Sequence, residues 1–172
     1  PPATSSAASD VYKRQIYFRP ETGNSILIGS EDPECDPKEW IPNPDEFNRE
    51  ITDSQWKAQV YRCMRRIPTL EEPSRKRGVV DLYDVSDDWL PIYDSTRIKG
   101  YYMAIGSSGN QFKNAPIAGH CMAELIEACE KGQNHDEDPV QVKTVYTGLT
   151  LNMGFYSRNR EINPNSSFSV NG

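Results

Sequence analysis

Several kinds of protein are excluded by what this sequence has little of. It holds four cysteines (Cys35, Cys63, Cys121 and Cys129) with no C-x-x-C pair, and two histidines, His120 and His135. Structural zinc sites and disulfide frameworks both need such residues at short, repeated spacings. No metal ligand is therefore expected, and the thiols are expected to be reduced, in a cytoplasmic protein. Positive charge is also scarce: 19 basic residues face 25 acidic ones, for a net charge of −6. A nucleic-acid binder needs a basic face to neutralise phosphates, so no nucleic-acid partner is expected. No apolar run approaches the roughly 20 residues that cross a membrane. Neither a G-x-G-x-x-G fingerprint nor a P-loop is present. What remains is a chain of 172 residues, 36% of them hydrophobic. That length suits one ordinary domain or parts of two.

The first fifteen residues, PPATSSAASDVYKRQ, differ from the rest. They lack the apolar stretch of a secretory signal and read as a non-native or disordered leader. The string SSAASDVYKRQ resembles a translated sequencing-adaptor artefact, so the native sequence is expected to begin at Ile16, inside a longer chain.

Residues 16–19 and 26–30 are short and β-prone. The turn formers PETGNS lie between them, which predicts a hairpin. A proline-rich acidic loop follows, and Pro44, Asp45 and Glu46 suit a first helical turn. Trp56, Val60, Cys63, Met64 and Ile67 recur at helical spacing, with Ser54 as N-cap and Pro68 as the stop. Arg62, Arg65 and Arg66 fall on the opposite, solvated face. Residues 78–85 read as a strand, and residues 90–93 as a short extended piece. GYYMAI at 100–105 reads as a strand covered on both faces. A helix is expected from 116 to 131, with Ile117, Cys121, Met122, Leu125, Ile126 and Cys129 on one stripe and Gly132 as its stop. Residues 133–172 form a polar tail with one strand-like run at 142–146.

The segment with chemical content is GYYMAIGSSGNQFKNAP. A buried strand there delivers Gly106, Ser107, Ser108 and Gly109 to a helix N-terminus. Glycines let backbone amides approach a ligand closely. The helix end adds unpaired N–H groups and partial positive charge, suited to an anion or a polarised carbonyl. Packing alone also explains such a turn. Lys113 has two readings, a carboxylate anchor at the helix mouth and a solvated lysine. His120 reads as structural and Asp87-Asp88 as a turn, while Arg158 and Arg160 read as part of a disordered tail or, alternatively, as contacts for cofactor or partner phosphates. No side chain is assigned as a catalyst.

Three motifs in order make a resemblance. R-P-E-T-G followed by a strand ending in G-S spans residues 19–30. The segment D-V-S-D-D-W-L-P-I-Y spans 84–93, and G-S-S-G-N-Q-F-K spans 106–113. This resembles the C-terminal half of FAD-dependent oxidoreductases of the D-amino-acid oxidase family, which includes sarcosine, dimethylglycine and glycine oxidases. The resemblance covers residues 16–132. It implies an α+β fragment of a two-domain flavoprotein. Residues 16–90 would be the closing part of a mixed or antiparallel substrate-domain sheet. Residues 91–132 would be the last strand and helix of a Rossmann-like FAD domain, and 133–172 a tail.

The resemblance further implies that Gly106, Ser107, Ser108, Gly109, Asn110 and Gln111 lie against the flavin, and that Lys113 contacts a substrate carboxylate. The implied reaction is hydride transfer from an amine or amino acid to FAD. The cofactor would be bound non-covalently, because Asp81 stands where tethering relatives carry cysteine. Two departures are plain: the family's His-Gly is Asn110-Gln111 here, and its Phe is Ser107. The absent nucleotide fingerprint implies that FAD and activity require a missing N-terminal half, without which this fragment is inactive and prone to aggregate. The alternative is a non-catalytic flavoprotein-like subunit or assembly factor that binds a protein partner.

Overall fold

In the computed structural model the first element is a hairpin. Strand β1 (Tyr17–Glu21) pairs antiparallel with β2 (Ser25–Gly29), from Tyr17 opposite Gly29 to Glu21 opposite Ser25. The turn is shorter than the sequence suggested, because Gly23 and Asn24 both adopt left-handed backbone (φ 72° and 56°) and reverse the chain tightly. Residues 16–30, 39–168 and 170 are described. The leader at 1–15, Cys35 and the rest of the stretch 31–38 lie outside them.

The chain divides into two compact units, Pro1–Leu82 and Tyr83–Gly172. In the first, helix α1 (Asp53–Arg66) packs on β2 and buries Val60 and Cys63. Its cap is Thr52, whose hydroxyl accepts from the Gln55 amide at 3.3 Å. Ser54 was the expected cap, but it lies inside the first turn, where its side chain cannot reach the amide three residues on. Arg62 departs from the solvated face expected of it: it is half-buried, with Nη1 out of contact with solvent and unpaired among the described residues.

Two further expectations fail in this unit. Pro44-Asp45-Glu46 is a turn and not a helix, because the Asn43 side chain takes the Asp45 amide at 3.1 Å and its carbonyl the Glu46 amide. Residues 78–82 form no strand. They are irregular, and Val79 is 89% exposed, since no neighbouring strand among the described residues offers a ladder.

The second unit opens on the irregular segment 83–91. Strand β3 (Ile92–Ser95) then pairs antiparallel with β4 (Tyr102–Ile105). Strand β4 is not covered on both faces as its apolar run suggested: Ile105 is 49% exposed, because a two-stranded hairpin shields one side only. A single 3-10 turn, Phe112–Asn114, leads into helix α2 (Ala115–Glu130). Its end is the glycine stop read from the sequence. Gly132 is left-handed (φ 99°) and donates to the Cys129 carbonyl, while Gln133 donates to that of Ala128.

The expected tail contributes half of the core. Strands β5 (Gln141–Lys143) and β6 (Thr150–Asn152) pair antiparallel, and Val140, Val142 and Met153 join Tyr93, Cys121 and Leu125 in one buried cluster. Two helices and three antiparallel strand pairs make the described architecture α+β.

Candidate functional site

The glycine turn is shaped by the segment just before β3. Gly106, Ser108 and Gly109 all have left-handed backbone (φ 68°, 48° and 77°). Serine adopts this conformation at a cost, which the surroundings must offset. Asp84 supplies the offset. Its carboxylate accepts from the Gly106 amide at 2.8 Å, the Ser107 amide at 3.1 Å and the Ser107 hydroxyl. Its backbone carbonyl accepts from the Ser108 amide at 3.1 Å. Partial burial opposes the charge on Asp84. The hydrogen bonds from Ser107 and Gly106 outweigh it and hold the carboxyl below its ordinary range. A methyl group built on Gly109 would come within 2.7 Å of the Tyr83 ring, so glycine is required there on both counts.

The amides of Gly106, Ser107 and Ser108 are therefore occupied within the protein. Beyond them the chain opens onto a cavity of about 480 Å³, a volume within the span of small-molecule sites. One wall is Asn110, Gln111, Lys113, Asn114 and the first turn of α2 at Ile117 and Ala118. No side chain caps α2. The 3-10 turn runs straight into this end, the Ala115 amide is taken by the Phe112 carbonyl and Pro116 has none, so what the helix offers here is the partial positive charge of its dipole. Gln111 is fixed from two sides: its Oε1 accepts from the Tyr93 hydroxyl at 3.2 Å and the Asn114 amide group at 3.1 Å. Its Nε2 donates to Asn110 Oδ1.

The other walls are aromatic and amide-bearing: Trp89, Tyr93, Phe155, Tyr156, Asn163 and Asn165. Tyr93 and Tyr156 lie 5.3 Å apart between ring centres, and Phe155 meets Tyr156 edge-on at 5.1 Å. Cys121 closes the floor, where burial pushes its thiol pKa up. Among the described residues, none that lines the cavity is acidic. Of the residues singled out from the sequence, Asn110, Gln111 and Lys113 come together here, whereas Gly106, Ser107, Ser108 and Gly109 do not line the cavity.

Two buried carboxylates hold the aromatic wall. Asp88, 1% exposed, takes a forked pair of bonds from Arg160: Nε to Oδ2 at 3.0 Å and Nη2 to Oδ1 at 2.6 Å. That fork is the main reason its carboxyl lies far below its ordinary range. Asp94, fully buried, accepts from the Ser157 hydroxyl at 3.0 Å, the Arg158 amide at 2.8 Å and the Arg158 guanidinium at 2.9 Å. Burial opposes its charge, but these bonds prevail and lower its pKa. His135, also buried, accepts the Val140 amide at Nδ1 and turns Nε2 toward Asp94 at 3.6 Å.

Arg158 and Arg160 are thus neither solvated nor free for phosphates, and Asp88 is more than a turn residue. Nothing in local composition marks these partners. The available signal was two arginines, spaced by one residue, inside an otherwise asparagine- and serine-rich stretch.

The model of the FAD dependent oxidoreductase family matches residues 2–125. That is more than half of the chain, which therefore belongs to this family of oxidoreductase flavoproteins, whose cofactor is FAD. The match takes in residues 2–15 of the leader. It ends within α2, so the aromatic wall beyond Cys121 lies outside it. No curated protein and no solved structure matches the chain. Among the described residues, no helix is long and apolar enough to cross a membrane.

Proposed function

We propose that the cavity is where the flavin ring and an amine or amino-acid substrate meet, in an oxidoreductase similar to the sarcosine, dimethylglycine and glycine oxidases. The observation that carries this reading is electrostatic. The N-terminal end of α2 and Lys113 share one cavity with aromatic walls and, among the described residues, no acidic side chain. Such a site favours a carboxylate, or a ring edge that becomes negative on reduction. Its volume suits a ring system or a small amino acid, not a whole dinucleotide. The chain lacks the G-x-G-x-x-G cradle. We therefore assign the adenosine and pyrophosphate to a nucleotide-binding half beyond these residues. On this reading β4, the turn and α2 belong to a Rossmann-like FAD domain, the present residues alone are inactive, and the protein is cytoplasmic.

A bound flavin supplies the hydride acceptor. The chain's own residues do the placing. Asp84 sets the turn, Gln111 and Asn110 present amide groups to the cavity, and Lys113 anchors the substrate carboxylate. With Asp81 at the position of the tethering cysteine, FAD is held non-covalently.

One observation favours the rival, a flavoprotein-like subunit that binds a partner instead of a flavin: the amides of Gly106, Ser107 and Ser108 are taken by Asp84. Titrating the full chain with lumiflavin, the flavin ring without its nucleotide, separates the two. The flavoenzyme reading expects saturable quenching of flavin fluorescence. It also expects Lys113→Met to weaken binding of a small carboxylate about tenfold, the scale of one lost charged contact. Unsaturable, nonspecific quenching by wild type would favour the rival.

A further inference from the structure

The family match ends at residue 125, yet the cavity does not. Leu151, Phe155, Tyr156, Asn163 and Asn165 come from the unmatched part of the chain and face the matched turn across the cavity. We propose that residues 151–167 are this protein's own specificity wall, and that Arg158 and Arg160 are the positioning residues that hold it in place. This rests on the reading of the cavity as the substrate site.

The geometry supports it in three ways. First, the wall has little regular structure beyond β6. Strand β6 ends at Asn152, one 3-10 turn covers Met153–Tyr156, and the remainder is irregular. An irregular segment keeps one shape only where its polar groups are tied down. Second, those ties are buried and forked. Arg160 joins the Asp88 carboxylate, the Leu90 carbonyl at 2.9 Å and the Ser157 carbonyl at 3.1 Å. Asp88 also takes the Asn163 amide at 3.3 Å. Arg158 joins Asp94, the Ser95 carbonyl at 3.0 Å and Asp136 at 2.6 Å. Both carboxylates sit beside residues that line the cavity, Asp88 next to Trp89 and Asp94 next to Tyr93, so the pairs hold the segment against that part of the lining. Third, the side chains presented beside these ties differ in kind from those of the turn. Phe155 and Tyr156 offer aromatic faces, and Asn163 and Asn165 offer amide groups. The turn recognises charge, whereas this wall selects the body of the substrate.

The test uses Cys121, which lines the cavity floor and is 3% exposed. In the full chain, its labelling by N-ethylmaleimide is followed by peptide mass spectrometry, with Cys63 of the first unit as internal reference. Acetate, proline and phenylacetate serve as competing carboxylates. Arg160→Gln cuts the tie, and Phe155→Ala alters only a half-exposed wall side chain, so it keeps the test sound if the first variant does not fold. In wild type, phenylacetate is expected to protect Cys121 best. In Phe155→Ala it should lose about tenfold relative to acetate, the scale of one aromatic contact with its burial. In Arg160→Gln, labelling without ligand should rise about tenfold and protection should vanish, with Cys63 unchanged. Protection of the same order and strength in wild type and Phe155→Ala would overturn the specificity wall and leave the proposed function standing. If no carboxylate protects wild type, the cavity is not the substrate site and both readings fall.

Discussion

The two units of this chain keep their order by different means. The first, up to Leu82, buries Val60 and Cys63 on one helix, and its side-chain hydrogen bonds among the described residues are exposed, most of them local, with Lys76 reaching back to Ile51 and Asp53. The second buries six apolar side chains in one cluster and, beside them, two carboxylates whose partners are over sixty residues away in sequence. The regular structure of the first is one hairpin and one helix, and residues 39–52 and 67–82 are irregular. The second holds irregular segments in place through long-range polar ties, and those irregular segments line the cavity. The candidate site therefore combines the start of α2 with irregular segments held by buried charge.

The comparison breaks most sharply at Asp94. Asp94→Ala leaves the Ser157 hydroxyl, the Arg158 amide and the Arg158 guanidinium without their buried acceptor, which is expected to cost about 3–5 kcal/mol. Thermal unfolding should fall accordingly, and amide exchange should quicken across β3 and residues 153–160 more than in α1.

Acid probes the same ties. The carboxyls of Asp88 and Asp94 are depressed in the folded chain. They therefore bind protons less readily folded than unfolded. Their contribution is fully present above the unfolded carboxylate value, about pH 4, and is lost as pH falls below it toward the folded values. A pH series of amide exchange should show residues 153–163 opening below about pH 4; protection there that is constant down to pH 2 would contradict the assigned role of the pairs.

Next in size is Asp84→Ala, which frees two turn amides and the Ser107 hydroxyl and is expected to cost about 1–3 kcal/mol. Exchange at residues 106 and 107 should accelerate, and Asp84→Asn, which keeps an acceptor, should restore part of the protection. In the first unit Thr52→Ala removes only an exposed cap, at a cost of about 1 kcal/mol. Val79→Ser, at an exposed irregular position, should stay within about 0.5 kcal/mol of wild type. A Thr52→Ala loss as large as that of Asp94→Ala would erase the distinction between the units.

Regular elements were legible in the sequence because their signals are local. The apolar period of α1, the stripe and glycine stop of α2 and the turn formers of the first hairpin all act within a few residues. Errors followed where a local signal needed a distant partner. The apolar run 100–105 reads as a doubly covered strand, but its pairing is with β3 alone. Residues 78–82 have strand composition without a neighbour to pair with.

The candidate site was half legible for the same reason. Asn110, Gln111 and Lys113 stand out beside the glycine turn. The partners that complete the cavity do not, since Arg158 and Arg160 gain their meaning only from Asp94 and Asp88. The role of Asp84 was hidden too: an aspartate in a β-prone run gives no sign that it will collect the amides of a turn more than twenty residues further on.

The most direct test of the central claim is hydrogen exchange of the full chain with and without lumiflavin, read amide by amide from 104 to 120. If the cavity receives the flavin ring, protection appears from Gly109 through Ala118. Gly106, Ser107 and Ser108, already bonded to Asp84, should stay slow and unchanged. Protection confined to Gly106, Ser107 and Ser108, or none anywhere in this stretch, would contradict the account.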